Sequence, residues 1–215
     1  MVELRWLGHD CFEIRNDGVV ITDPHDGKGI GLPQPNAKAD IITVSHGHFD
    51  HANGVKIVSK PDTVIMKTPE ERSVKGISIE GIAAFHDKMK GGMRGKNVIF
   101  KILLDGLTLC HLGDLGHILS EEQLREIGQI DVLLIPVGGN YTIDANEATQ
   151  IMDRMKPRIV IPMHYKTSRL TVNIEGVEPF LKGKENVKRF PKTQVNIEKN
   201  KLPKETEIWV LSPPE

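Results

Sequence analysis

Apolar residues in the first half of the chain recur in short runs of strand length: VELRWL, CFEIR, VVIT, DIITVS, TVIM, ISIEGIAAF, NVIFKILLD and LTLCHL. Turn formers such as NDG, KPD and LDG separate them, so this half is predicted to be mostly β-strand. The second half changes its period. SEEQLREIG opens on an N-cap serine and closes on a glycine, the start and stop signals of a helix. DVLLIPV then reads as a fully apolar strand, DANEATQIMDRM as a helix of period 3.6 closed by Pro157, and RIVIPM as another buried strand. TQVNIE and EIWVL are the last strand candidates. Strands first precede helices and then alternate with them. That order predicts an α/β protein with mixed sheets, helices on the outer faces and chemistry at the strand ends.

A length of 215 residues suits one well-buried core. The expectation is a single domain over 1–215, with residues 171–215 as a C-terminal extension packed on it. Lys and Arg number 28 against 29 Asp and Glu, so no global field calls for nucleic acid or a membrane surface as a partner. The two cysteines, Cys11 and Cys110, lie in apolar runs and read as buried thiols. The opening MVELRWLGHDCFEI lacks the pattern of a secretory signal, and no run approaches the roughly 18 apolar residues of a membrane span. A cytoplasmic protein with a small-molecule substrate is expected. The terminal apolar strands could serve a homo-oligomer or simply finish a sheet, and the lysines of the last 40 residues read as a solvated edge.

Chemistry enters at SHGHFDH, residues 45–51, where His46, His48, Asp50 and His51 directly follow an apolar strand. Imidazole and carboxylate are what borderline divalent ions such as zinc prefer, and a catalytic site commonly takes three protein ligands and leaves room for water. One cluster is too small for two ions. Three further strand ends meet the demand: GIAAFHD delivers His86, LTLCHLGDLGH delivers Asp114, and IVIPMHY delivers His164. The inventory then assigns His46, His48 and His86 to a first ion, Asp50, His51 and His164 to a second, with Asp114 bridging. A bridging carboxylate and a bridging hydroxide hold two such ions about 3.5 to 4 Å apart. Two dications less two carboxylates and one hydroxide leave a charge of about +1, which favours an anionic substrate.

HGHFDH, the isolated His86, LGD ending at Asp114 and PMHY with His164 together resemble the metallo-β-lactamase superfamily over roughly residues 1–170. The opening WLGHDCFEI, with VVITDP after it, resembles the compact branch that includes ascorbate-6-phosphate lactonase-like proteins. The resemblance implies a four-layered αββα sandwich with two mixed sheets and a binuclear site at one edge. It also implies that Asp23 supports the metal loop from behind and that His9 lines the site. Nucleic-acid-cutting members carry a large inserted domain, oxygen-reducing members a flavin domain and lactam-cleaving members a signal peptide, and none of these is found here. What is implied is a cytoplasmic hydrolase with two divalent metal ions, zinc first and manganese or iron as alternatives. A metal-bridging hydroxide would attack a lactone, ester or phosphodiester. The alternative is a catalytically silent metal-binding or ligand-sensing protein, its pocket closed by bulk such as Phe49.

Further candidates surround these ligands. Asp50 is expected to orient the nucleophile, and His111 to be either the proton donor or a partner behind Asp114. His117 follows on the same loop as a substrate contact. HDKMKGGMRGKN carries Lys88, Lys90, Arg94 and Lys96 on a glycine-rich loop after His86, and Arg94 is singled out to meet an anion. Tyr141 in PVGGNYTIDANEA, and Tyr165 and Lys166 after His164, are placed as substrate contacts, whereas capping alone explains Asp144. His25 and Asp26, in DPHDGKGIG, are expected to form a wall of the cleft.

Overall fold

The computed structural model describes residues 1–215. Its strands are β1 (Val2–Gly8), β2 (Cys11–Arg15), β3 (Val19–Thr22), β4 (Ile41–Thr43), β5 (Val64–Met66), β6 (Glu71–Val74) and β7 (Ile77–Phe85). They continue as β8 (Lys96–Leu104), β9 (Leu107–His111), β10 (Val132–Pro136), β11 (Ile159–Met163), β12 (Val187–Phe190), β13 (Gln194–Ile197) and β14 (Glu207–Leu211). The α-helices are α1 (Phe49–Ala52), α2 (Val55–Val58), α3 (Glu121–Ile127), α4 (Ala145–Met155) and α5 (Glu178–Leu181).

Six strands form one sheet in the order β13-β1-β2-β3-β4-β5, and eight form the other in the order β12-β14-β11-β10-β9-β8-β7-β6. Both are mixed. The first is antiparallel from β13 to β3 and parallel from β3 to β5. The second is antiparallel from β6 to β9 and parallel from there on. β10 and β11 are buried at every position because neighbours pair on both edges and both faces are covered, which is why their sequences are unbroken apolar runs.

The main core fills the space between the sheets and contains Trp6, Phe12, Phe100 and Phe180, all fully buried. Alternation along β3 and β4 sends Val20 and Ile41 into that core, while Ile21 and Ile42 face outward under Val58 of α2. Ala148 and Ile151 of α4 and Ile127 of α3 close the core on the side of the larger sheet. The result is the αββα sandwich. Each of the two longer helices opens on a capping box, Ser120 with Gln123 and Asp144 with Glu147. Asp144 thus acts as a cap, as its position suggested.

Residues 171–215 supply strands to both sheets. β13 pairs antiparallel with β1, and β14 lies between β11 and β12. The terminal apolar strands therefore finish the sheets. No helix is long and apolar enough to cross a membrane. Cys11 and Cys110 are free and buried.

Asp40 ties three strands of the smaller sheet together. Its N–H donates to Val19 O (2.8 Å), its carbonyl accepts from Val64 N (2.9 Å), and its carboxylate accepts from Val19 N (2.9 Å), Lys75 (2.5 Å) and Lys60 (2.6 Å). Burial opposes the charge, but the two ammonium groups and the Val19 N–H outweigh it and bring the pKa from 3.8 down to about 2. A carboxyl depressed in the folded state stabilises above its unfolded pKa, and that stability is lost as pH falls through the folded value. Asp40→Asn should therefore lower Tm at neutral pH. Thermal melts across the acid range should show the gap from the native chain closing between about pH 4 and about pH 2.

Candidate metal centre

The site forms where parallel strands end and the chain leaves the sheet. Asp23 follows β3 with a left-handed backbone (φ 36°), and its N–H donates to Thr43 O of the neighbouring strand (2.8 Å). Its Oδ1 accepts from Ser45 N (2.6 Å), while its Oδ2 accepts from Ser45 Oγ (2.6 Å) and His51 Nδ1 (3.1 Å). Burial opposes its ionisation, but the bond from His51 and the nearby imidazoles prevail and lower its pKa. An ionised carboxylate only accepts, so the His51 proton is on Nδ1. Ser45 Oγ, having given its hydrogen to Asp23, accepts from His46 Nδ1 at 3.0 Å. One acid thereby orients two imidazoles, and both rings turn Nε2 inward.

Asp114 reaches the same point from the other sheet. Gly113 before it has φ 54°, and a Cβ there would lie 2.4 Å from Ser45 Cβ and 2.6 Å from Asn97 Oδ1. Only glycine lets the two loops approach so closely. Asn97 then accepts from Asp114 N (3.0 Å) and donates to Leu112 O (2.9 Å), which orients the acid. Asp114 Oδ2 faces His86 Nε2 (3.1 Å) and His46 Nε2 (3.6 Å), and Oδ1 faces His51 Nε2 (3.4 Å) and His164 Nε2 (3.4 Å).

Donor atoms about 2.1 Å from a common ion lie about 3.0 to 3.4 Å from their neighbours around it. Three of the spacings about Asp114 fall in that range, and the fourth, to His46 at 3.6 Å, lies just beyond it. Ligand atoms of His46, His48 and His86 form one group, each within 4.8 Å of the others, and those of His9, Asp10, His51 and His164 form a second. His46 Nε2, His51 Nε2 and Asp114 Oδ1 are buried without a hydrogen-bond partner. Polar atoms so placed are costly unless a cation meets them, and nitrogen with carboxylate oxygen fits zinc, manganese or iron. The residues fit a divalent cation.

Electrostatics agree with that fit. Burial lowers His46 and His164 to about 3, so both are neutral, the form that ligates. Burial would raise Asp114, but His164, His51 and His46 hold it well below the usual carboxylate range. Asp50 is lowered too, against burial, by its bond from His9 and by His51. His51 differs: despite its burial it is pushed up by Asp114, Asp23 and Asp10 around it, so in the metal-free chain it holds a second proton that a cation at Nε2 would displace.

A cleft of about 630 Å³ opens over the site, lined among others by His48, Asp50, His86, Arg94, Tyr141 and His164. Arg94 and Tyr141 lie side by side on its wall. The guanidinium lies 5.5 Å from the centre of the Tyr141 ring and donates to Asn140 O (3.4 Å). Arg94 is held there by Asp87, whose carboxylate collects the N–H groups of Met89 (2.7 Å), Gly91 (3.0 Å), Met93 (3.0 Å) and Arg94 (2.7 Å). Lys88 instead pairs with Glu147 (2.6 Å). Phe49 is 53% exposed at the mouth and does not close the cleft.

Other expectations are corrected. His111 is fully buried, with Nε2 donating to Asp10 O (2.9 Å) and Nδ1 accepting from Gly113 N (3.2 Å), so it has no proton to offer a substrate and instead braces two site loops. His117 is likewise committed, accepting from Phe85 N (3.2 Å) and donating to Ile118 O (2.9 Å) beside a different surface pocket. Tyr165 is buried against Trp6, 5.2 Å between ring centres, and Lys166 caps Leu170 O and Val172 O, both outside the cleft. His25 is buried on Leu7 O (3.1 Å), and Gly29 of the same loop forms the wall in its place. His9 does reach the site, with Nε2 3.2 Å from Asp50 Oδ2. Sequence reasoning missed Ser45, Asp87, Asn97 and Asp10. Only Asp10 carried a signal, as an acid between two apolar strands.

A family model described as a β-lactamase superfamily domain matches residues 3–164. The chain belongs to the metallo-β-lactamase superfamily. A UPF0173 metal-dependent hydrolase of Thermococcus onnurineus is 33% identical over 192 residues, covering 78% of this chain and 86% of its own. Another, of Pyrococcus abyssi, is 31% identical over 193 residues with the same coverage. A solved structure from Thermotoga maritima, described as a candidate Zn-dependent hydrolase of the superfamily, aligns with a TM-score of 0.82 at 37% identity over 98% of both chains. Like these superfamily relatives, this protein is a metal-dependent hydrolase.

Within that superfamily framework, Asp23 should control how tightly metal is held. Asp23→Asn keeps the shape and tolerates the left-handed backbone, but it replaces one acceptor oxygen with a donor. Metal affinity, read by competition with a chromophoric chelator, should fall about 10- to 100-fold with the circular dichroism unchanged.

Proposed function

We propose that this hydrolase holds two divalent ions, zinc first with manganese or iron as alternatives, and cleaves a lactone, ester or phosphodiester bond in a small anionic molecule. The observation that carries the reading is Asp114, whose two oxygens face separate imidazole pairs, His86 with His46 and His51 with His164. A carboxylate so placed is a bridge. Bound ions would supply Lewis acidity and a water acidic enough to react at neutral pH.

The chain's own groups do the rest. His46, His48 and His86 would hold one ion and Asp50, His51 and His164 the other, with Asp114 shared. Asp50 borders the cleft, and the bond from His9 Nε2 at 3.2 Å fixes its orientation toward the reacting centre. Neutral imidazoles and few carboxylates leave the loaded site positive, and Arg94 adds a planar donor fork at the cleft wall. Tyr141, Phe49 and Val172 offer apolar surface to the remainder of the substrate. The volume of about 630 Å³ is that of a small-molecule site, and the near-neutral chain offers no track for a nucleic acid.

Protein freed of metal with a chelator and titrated with zinc, manganese or iron should regain hydrolysis of a panel of lactones, esters and phosphodiesters at two equivalents. Two equivalents bound without turnover on any of them would favour the silent metal-binding alternative. Arg94→Ala should raise KM for an anionic substrate about tenfold or more and change kcat about twofold or less, since a charge-assisted hydrogen bond contributes about 1.5 to 3 kcal/mol. Unchanged KM would remove Arg94 from the substrate's path.

A further inference from the structure

The Asp10 carboxylate is the one buried acid at the centre to which no role has been given. It is fully buried, and neither oxygen has a hydrogen-bond partner. The basic nitrogens beside it are His9 Nε2 at 3.7 Å and His51 Nε2 at 3.9 Å, both beyond hydrogen-bond reach of Oδ2. The main chain cannot withdraw it, because its carbonyl accepts from Thr22 Oγ1 (2.8 Å) and from His111 Nε2 (2.9 Å). Ionised and unpaired, such a group is among the costliest a core can contain, and protonated it still leaves a hydroxyl without an acceptor. It is absent from the cleft lining, so it does not touch substrate.

Its ligand atom lies within 4.8 Å of those of His9, His51 and His164. We propose that Asp10 is a metal-binding carboxylate of the ion position shared by His51 and His164, which makes the two positions chemically unequal. The inference rests on the two-ion reading above. The position of His46, His48 and His86 is nitrogen-rich and suits zinc. The other adds Asp10 to Asp50 and the shared Asp114, an oxygen-rich set of higher coordination number that suits manganese or ferrous iron. With three ionised carboxylates against two dications, the net site charge is about +1 before any water ionises. Attraction of an anion then falls more heavily on Arg94.

The test is cobalt titration of the full chain freed of metal, followed by visible absorption and calorimetry, with no substrate present. In the native chain the first equivalent should give the intense bands of four-coordinate cobalt and the second the weak bands of five or six ligands. Asp10→Asn should leave the first equivalent unchanged and weaken the second at least about 100-fold, since even partners behind the ligands are worth 10- to 100-fold. Asp10→Ser serves if the asparagine variant does not fold. Intense four-coordinate bands for both equivalents, or a variant matching the native chain in both affinities, would overturn the assignment of Asp10 alone. A native chain that takes up only one equivalent would overturn the two-ion reading and this assignment together.

Discussion

Asp23 accepts three hydrogen bonds inside the protein, two from Ser45 and one from His51, and through Ser45 it reaches His46 as well. Parallel pairing of β3 with β4 makes this arrangement available, because Thr22 lies opposite Thr43 and the two chains leave the sheet side by side. An acid at that exit can meet the backbone of the next loop only if it bends sharply, and the left-handed conformation of Asp23 is that bend. Without a buried acceptor here, nothing would hold Nε2 of His46 and His51 pointing inward. The ability of the site to bind a cation starts with this carboxylate, one layer behind the ligands.

The residues of the site come from both sheets. His9, Asp23 and the run from His46 to His51 belong to the six-stranded sheet, while His86, Asp114 and His164 follow strands of the eight-stranded one. Four carboxylates, Asp10, Asp23, Asp50 and Asp114, lie within interaction range at this seam, and burial together with Asp114 raises the pKa of Asp10 well above its ordinary value. Cations placed between them relieve repulsion across the sheet interface, so metal affinity and the docking of the two sheets are linked. The close approach of Gly113 to Ser45 belongs to the same seam.

Strand patterns legible in the sequence were those with a buried face: alternation gave β7, and unbroken apolar runs gave β10 and β11. β6 and β12 were not legible because they are mostly exposed, polar edge strands. α1, α2 and α5 are single turns, too short to show a period. The segment 171–215 reads as an addition because its strands pair with partners far away in sequence, and no local pattern records that. In the site, the metal-type residues could be read because each sits just past a strand. His111, His117, Tyr165 and Lys166 were misplaced for a related reason. Nearness to a ligand in sequence does not say which side of the strand end a side chain leaves from, and all four turn to backbone or core.

Sequence put Arg94 near the cleft because it lies on a glycine-rich loop directly after His86. What fixes its position was not legible there. Asp87 gathers four backbone N–H groups of residues 89–94, and these donors, against burial, lower its pKa to about 2. The loop is thus an anion-centred turn whose hub is covalently next to His86. A shift of His86 would move Asp87, and with it the arm that carries Arg94. Under the proposed reading, recognition of substrate charge and retention of metal both draw on one short segment, residues 86–94, braced by Asp87.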